Sequence, residues 1–341
     1  MKMGNTLCVK KDRLPTSTND AVEFLQDYFN EFEMECFEFD DCIQLNLVAN
    51  QYTYCEDISD GLRFLGIEKD AVKDFCIIQD RAALCLSENW LPFAFANFLS
   101  QADNDITRLT ILHVDDHRDL MSPYLSYRNG QYFDMISGNA VELNKCLSIK
   151  KAVESGAITI GSMLTPIIYS VKQADIFHIK ENVENESCGI KKTFHPDNLL
   201  WDDCQRIAIQ MDTLGSGIGW YHITSEWSNV LKHLDPSKSC LLHIDMDYFN
   251  NRYNASTSWA ETPNRHDPSF PEQKVLMDKL FDGIKKVMEL TEIRYVLIGV
   301  SPSFYPVEYW AEGLRYLIGG LTALGLPVSN LLCSCRLGEP S

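Results

Sequence analysis

Two short stretches of the chain concentrate side chains able to hold a divalent cation. HVDDHRDL, residues 113–120, carries two imidazoles and three carboxylates. HIDMDYF, residues 243–249, repeats its pattern, with a histidine two residues before an aspartate and a second acid two residues further on. On an extended backbone alternate residues share a face, so Asp115, His117 and Asp119 group together, as do Asp245 and Asp247, while Asp116 and Arg118 are expected to point away. Four carboxylates and an imidazole converging from two segments would suppress one another's ionisation unless a cation compensated them. Oxygen and imidazole donors without thiolate favour manganese, with iron, zinc or magnesium also accommodated. Taken alone, either stretch reads equally as an acidic turn that closes a strand.

The elements that must position these residues are visible as apolar β-rich runs. Strands are expected at 109–114, 157–160, 174–179, 206–211, 240–244 and 295–300, and a helix at 271–290 with Val275, Leu280, Ile284 and Val287 on its inner face. This alternation predicts an α/β fold with a mostly parallel central sheet. Ligands of such sheets bind beyond the carboxyl ends of the strands, where both acidic stretches fall. Residues 1–75 are acidic and aromatic, with Phe24, Leu25, Tyr28, Phe29 and Phe32 at helical spacing ahead of extended segments. They are expected to form an N-terminal elaboration or small lobe beside a main domain at 76–341.

Composition narrows the partners. The 341-residue chain has 48 acidic against 30 basic side chains and a formal net charge of −18, which opposes nucleic-acid binding and suits a cationic substrate. Twelve cysteines contain no CxxC pair, only the close Cys333 and Cys335, which points to reduced thiols in a cytoplasmic protein rather than to a zinc knuckle. The polar opening MKMGNTLCVKKDR does not read as a signal peptide, and no apolar run is long enough to span a bilayer, so no membrane partner is expected.

DDHRD followed by DMD resembles the DAHxD and SxDxDxxDP motifs of the arginase and deacetylase superfamily, and the doubled DxD favours its two-manganese ureohydrolase branch. SENWLPFAF (87–95), GAITIGSMLTPIIYS (156–170), ADIFHI (174–179) and IGVSPSFYPVEYW (298–310) resemble an atypical branch that includes the peptide arginases of ribosomal-peptide biosynthesis. The resemblance spans roughly 75–310. It implies an arginase-like three-layer sandwich and a hydrolase that converts peptidyl arginine in a precursor peptide to ornithine and urea. By the same resemblance, Asp115 and Asp245 would bridge two Mn2+ ions, His117 and Asp247 would complete one, and Asp119 would bind the other. The ligand supplied by histidine in classical arginases falls at SENW, where Asn89 or Glu88 stands in its place. The third acid of the second motif is replaced by Asn250. The guanidinium-gripping glutamate falls near Gly299, leaving Glu308 in the next loop as the substrate-binding candidate. His178, at a strand end, is the candidate proton shuttle, whereas His113 and His243 read as supporting or packed residues. Free arginine or a small guanidino compound is the alternative substrate, and a degenerate metal- or peptide-binding member the alternative without turnover.

Overall fold

The computed structural model describes residues 5–30, 32–49, 54–101, 106–197, 199–201, 204–212, 215, 217–262 and 266–332. Strands β1 (Asn5–Lys10), β2 (Glu33–Glu38) and β3 (Cys42–Val48) form a small antiparallel sheet in the order β1-β3-β2, and helix α1 (Thr18–Tyr28) connects β1 to β2. The large central sheet comprises β4 (Cys76–Gln79), β5 (Ala82–Cys85), β6 (Arg108–Val114), β7 (Leu125–Arg128), β8 (Gln131–Asp134), β9 (Ala140–Val141), β10 (Gln173–Ile179), β11 (Glu186–Pro196), β12 (Gln205–Asp212), β13 (Gly219–Thr224), β14 (Ser239–Asp245) and β15 (Ile293–Gly299). Their spatial order is β4-β5-β15-β14-β6-β10-β13-β11-β12-β7-β8-β9. The run from β5 to β13 is parallel, and the flanking pairs are antiparallel. The protein is therefore mixed α/β, as its alternating pattern predicts.

Helices α2 (Ser59–Leu65), α3 (Leu91–Ser100), α4 (Cys146–Glu154), α5 (Leu164–Ser170), α6 (Trp227–His233), α7 (Phe270–Met288) and α8 (Trp310–Ala323) complete the described elements. The strands alternate their apolar side chains between two clusters. Leu109 and Ile111 of β6 join Phe95, Ile149 and Ile167 from α3, α4 and α5, whereas Leu112 and Val114 join Leu62, Leu280 and Leu317 from α2, α7 and α8. Continuous apolar runs suit strands buried on both faces, and each such side chain contributes roughly 1.5 to 3 kcal/mol on burial.

The described residues before 76 contribute to both clusters. Val9, Leu25, Phe29 and Leu45 join the first cluster, and Ile58, Leu62 and Val72 join the second. The Tyr124 hydroxyl donates to the Tyr28 carbonyl oxygen at 2.7 Å, and the Tyr28 hydroxyl donates to Asp197. Gly156, at φ +86°, lets the small sheet close in, since a Cβ there would lie 2.5 Å from the Phe32 ring.

Three expectations need correction. Residues 157–160 are not a strand: their backbone bonds to the 121–124 loop, with Tyr124 N–H donating to Ala157 O at 2.8 Å, before a 3-10 turn at Ile160–Ser162. Val275 is 57% exposed, because the buried stripe of α7 follows Met277, Leu280, Ile284 and Val287 and Val275 falls outside it. The cysteines are not all reduced, for Cys8 and Cys42 form a disulfide between β1 and β3 with their Cα atoms 6.1 Å apart. Cys333 and Cys335 lie outside the described residues. No helix among the described residues is long and apolar enough to cross a membrane.

Candidate metal centre

The neighbours β5, β15, β14 and β6 all point their carboxyl ends to one place, and each delivers a polar side chain there. Asp115 follows β6, Asp245 ends β14, Ser301 lies two residues beyond β15, and Glu88 lies three beyond β5. Parallel pairing aligns His113 with His243 and Ile244 with Val114, so the two acidic stretches arrive side by side. Glu88, Asp115, Asp119, Asp245 and Asp247 are each no more than 6% exposed. Among the described residues, donor atoms form three overlapping groups, Asp115 with His117 and Asp247, Glu88 with Asp115 and Asp245, and His113 with Asp115 and His243, each within 4.8 Å.

Individual contacts fix the side chains. His117 Nδ1 lies 2.9 Å from Asp247 Oδ2, while its Nε2–H donates to Asn254 Oδ1 at 3.2 Å. Ser301 Oγ donates to Asp245 Oδ2 at 2.8 Å. Glu88 reaches the cluster across Gly299, where a Cβ would stand 2.7 Å from Glu88 Oε1. The backbone is correspondingly unusual: Asp119, Asn254, Ala255, Ser301 and Ser303 all have φ between +45° and +73°. Such conformations cost about 1 kcal/mol or more each and gather where packing imposes a functional geometry.

Beneath the carboxylates lies a row of three imidazoles. Register places His178 of β10 beside His113 and His113 beside His243, with ring centroids 4.8 and 5.0 Å apart. Their partners dictate where the protons sit, since a carbonyl oxygen only accepts. His178 Nε2–H donates to the Asp115 carbonyl at 3.0 Å and its Nδ1 accepts from the Tyr221 hydroxyl at 2.5 Å. His113 Nε2–H donates to the His117 carbonyl at 2.9 Å, so its Nδ1 accepts from His243 Nδ1–H at 2.8 Å. His243 Nε2 then has no proton to offer Glu88 Oε1 at 2.8 Å, and the proton on that contact belongs to Glu88.

The charge states agree. Burial holds His178 at about 4, His243 at about 3 and His113 well below its ordinary value, keeping all three neutral. Burial, reinforced by neighbouring carboxylates, pushes Glu88, Asp115 and Asp245 well above the carboxylate range, and burial raises Asp119 to about 7. Burial also disfavours the His117 cation, but Asp247 outweighs it and holds that imidazole at about 10. Asp115 Oδ2 and Asp119 Oδ2 are buried without a hydrogen-bond partner. Orphaned carboxylate oxygens beside other buried acids are what a divalent cation would satisfy, and the oxygen and imidazole donor set fits manganese.

No protein-family model and no curated protein matches the chain. The chemistry must be read from the site itself.

Glu88, His117, Asp119, Asp245 and Asp247 face a cavity of about 800 Å³. Its walls are largely apolar and include Phe32 just before β2, Tyr54, Met121, Ile160, Met211 and Phe304. Of the residues expected from sequence, Asp115, His117, Asp119, Asp245 and Asp247 are brought together. Glu88 belongs to one of the donor groups and lines the cavity, while Asn89, its neighbour in the 3-10 turn Glu88–Trp90, is fully buried and is not among the lining residues. Glu308 stands away from the cavity: the turn after Pro306 leaves it exposed, gripped by both terminal nitrogens of Arg252 at 2.7 and 3.1 Å. His178 has both ring nitrogens engaged, by the Asp115 carbonyl and the Tyr221 hydroxyl, and is not among the residues that line the cavity. Asn250 donates to Asp267 and Pro268, away from the acids. Asp116 turns outward to Lys180 at 2.8 Å, as alternation predicts. Arg118 does not follow that rule and lines the cavity, because β6 ends at Val114 and the left-handed Asp119 breaks the two-residue period.

Proposed function

We propose that the protein is a divalent-cation-dependent amidinohydrolase that converts peptidyl arginine to ornithine and urea, built on an arginase-like three-layer sandwich. The observation that carries this reading is the set of buried, mutually repelling carboxylates on the floor of a large cavity at the carboxyl ends of parallel strands. Asp115, His117 and Asp247 would hold one ion, and Glu88, Asp115 and Asp245 a second, with Asp119 alongside. When bound, manganese supplies Lewis-acid charge that lowers the pKa of a nearby water toward neutrality. The chain's own residues do the positioning. Asn254 turns His117 toward Asp247, Ser301 fixes Asp245, and His178 holds the Asp115 backbone. The acidic floor attracts a guanidinium, and the apolar walls exclude bulk water from it. Attack of one water on the guanidinium carbon and loss of the amine gives urea, with both water protons ending on the departing nitrogen. A cavity of about 800 Å³ exceeds what a lone arginine side chain fills, which favours a peptide over the free amino acid.

The test is urea release by the manganese-loaded protein from free arginine, agmatine and an arginine-containing peptide, with the peptide followed for loss of CN2H2 by mass spectrometry. Conversion of the peptide is expected. Urea from free arginine alone would reverse the substrate choice, and a protein that binds no divalent cation would overturn the hydrolase reading.

A further inference from the structure

Arg118 sits between His117 and Asp119 and is, among the described lining residues, the one lysine or arginine of the cavity. Its side chain is exposed, with the guanidinium carbon 5.9 Å from the Tyr221 ring centroid, and among the described residues it forms no ion pair. Other cations around the acidic cluster are already engaged: Lys180 by Asp116, and Arg252 by Asp267 and Glu308. In a chain with 48 acids against 30 bases, an exposed arginine on the wall of a substrate-sized cavity, with no ion pair among the described residues, stands out as a binding group. Arginine is suited to that work, since its planar fork holds a carboxylate through two parallel hydrogen bonds.

We infer that Arg118 binds an anionic group of the substrate. The cavity then has three chemistries in one space: a carboxylate floor that takes a cation, apolar walls that include Leu120, Met121, Ile160 and Phe304, and a guanidinium that takes a carboxylate. The matching ligand is a guanidino compound with an apolar body and a carboxylate. In a peptide that carboxylate comes either from the C-terminus of a terminal arginine or from an acidic side chain beside it. This inference rests on the cavity being the substrate site.

Calorimetric binding to the manganese-loaded protein separates the sources, using three probes: Nα-benzoyl-arginine, Nα-benzoyl-arginine amide and benzoyl-aspartyl-arginine amide. Wild type is expected to bind one of the two carboxylate probes roughly fivefold to tenfold more tightly than benzoyl-arginine amide, which identifies the source. Arg118→Gln should bind all three alike, and Arg118→Lys should keep part of the preference. Metal content and melting temperature show that both variants are folded and loaded. Equal binding of the three probes by wild type, a preference that survives in Arg118→Gln, or no binding of any probe would overturn the anchor. Urea is measured on the same samples. Carboxylate preference without urea release keeps the anchor and sinks the hydrolase, whereas urea release without preference does the reverse.

Discussion

Stripping divalent cations leaves the buried carboxylates to repel one another, and the stability of the metal-free chain should then fall as pH rises. Asp119 sets the scale, with a pKa of about 7 against 3.8 for the unperturbed side chain. A carboxyl whose pKa is raised by folding holds its proton more tightly in the folded state. Folding is therefore favoured at low pH and loses ground as pH climbs from the unfolded toward the folded value. Relative to an unshifted group, ionising Asp119 costs roughly 4 kcal/mol near pH 8 and roughly 1 to 2 near pH 5, a difference of about 2 to 3 kcal/mol. Glu88, Asp115 and Asp245 shift in the same direction. His117 adds in the same sense, because the unfolded imidazole loses its proton near 6.5 and the folded one near 10. His113, His178 and His243 act in the opposite sense, because burial keeps them neutral while the unfolded imidazoles take up protons below about 6.5, so the carboxylates are read by difference. The assay is urea denaturation of chelator-treated protein at the two pH values, repeated with excess manganese and with Asp119→Asn. Between the two pH values the metal-free wild type should lose about 2 to 3 kcal/mol relative to Asp119→Asn, and manganese should abolish that difference. A pH dependence of the metal-free chain left unchanged by both Asp119→Asn and manganese would refute the account of the cluster as a cation site.

Four substitutions test the geometry around it. Gly299→Ala drives a methyl into Glu88 Oε1 and should weaken manganese affinity about tenfold while the fold remains, read by chelator competition and circular dichroism. Unchanged affinity would remove Glu88 from the centre. His178→Asn should lose manganese affinity by about 10- to 100-fold, whereas a lost limb of the pH–rate profile with metal retained would assign it the role of proton shuttle. Asp116→Asn gives up a partly exposed pair with Lys180 and should cost no more than about 1 kcal/mol with metal retained. Asp115→Asn should abolish metal binding, and equal tolerance of the two substitutions, measured by elemental analysis, would contradict the assignment.

The sequence made the paired acids legible because strand alternation and the strand-end position are local properties. Asp115, His117, Asp119, Asp245 and Asp247 could be read from two octapeptide-length windows, and five of six expected strands appear close to their expected bounds. What stayed hidden depends on contacts distant in the chain. Glu88 and Asn89 are adjacent, and that Glu88 joins Asp115 and Asp245 depends on the 3-10 turn after β5 and on strands far away in the chain. Glu308 is diverted by Arg252, 56 residues away, a pairing with no local signature. Alternation places Arg118 outward only while the backbone stays extended, and the left-handed Asp119 cancels that period. The alignment of His113, His178 and His243 was visible only as three histidines in separate runs, since nothing in the runs gives their relative register.

That alignment makes the centre a gauge of how the strands were assembled. If β14 paired with β6 one residue out of step, His243 would swing to the opposite face, Asp245 would leave Asp115, and an imidazole would be pressed into hydrocarbon. A cation that needs both stretches would thus bind the correctly threaded sheet and ignore its near misses. Loading with metal would act as proofreading of the fold, drawing the chain out of slipped arrangements during its maturation.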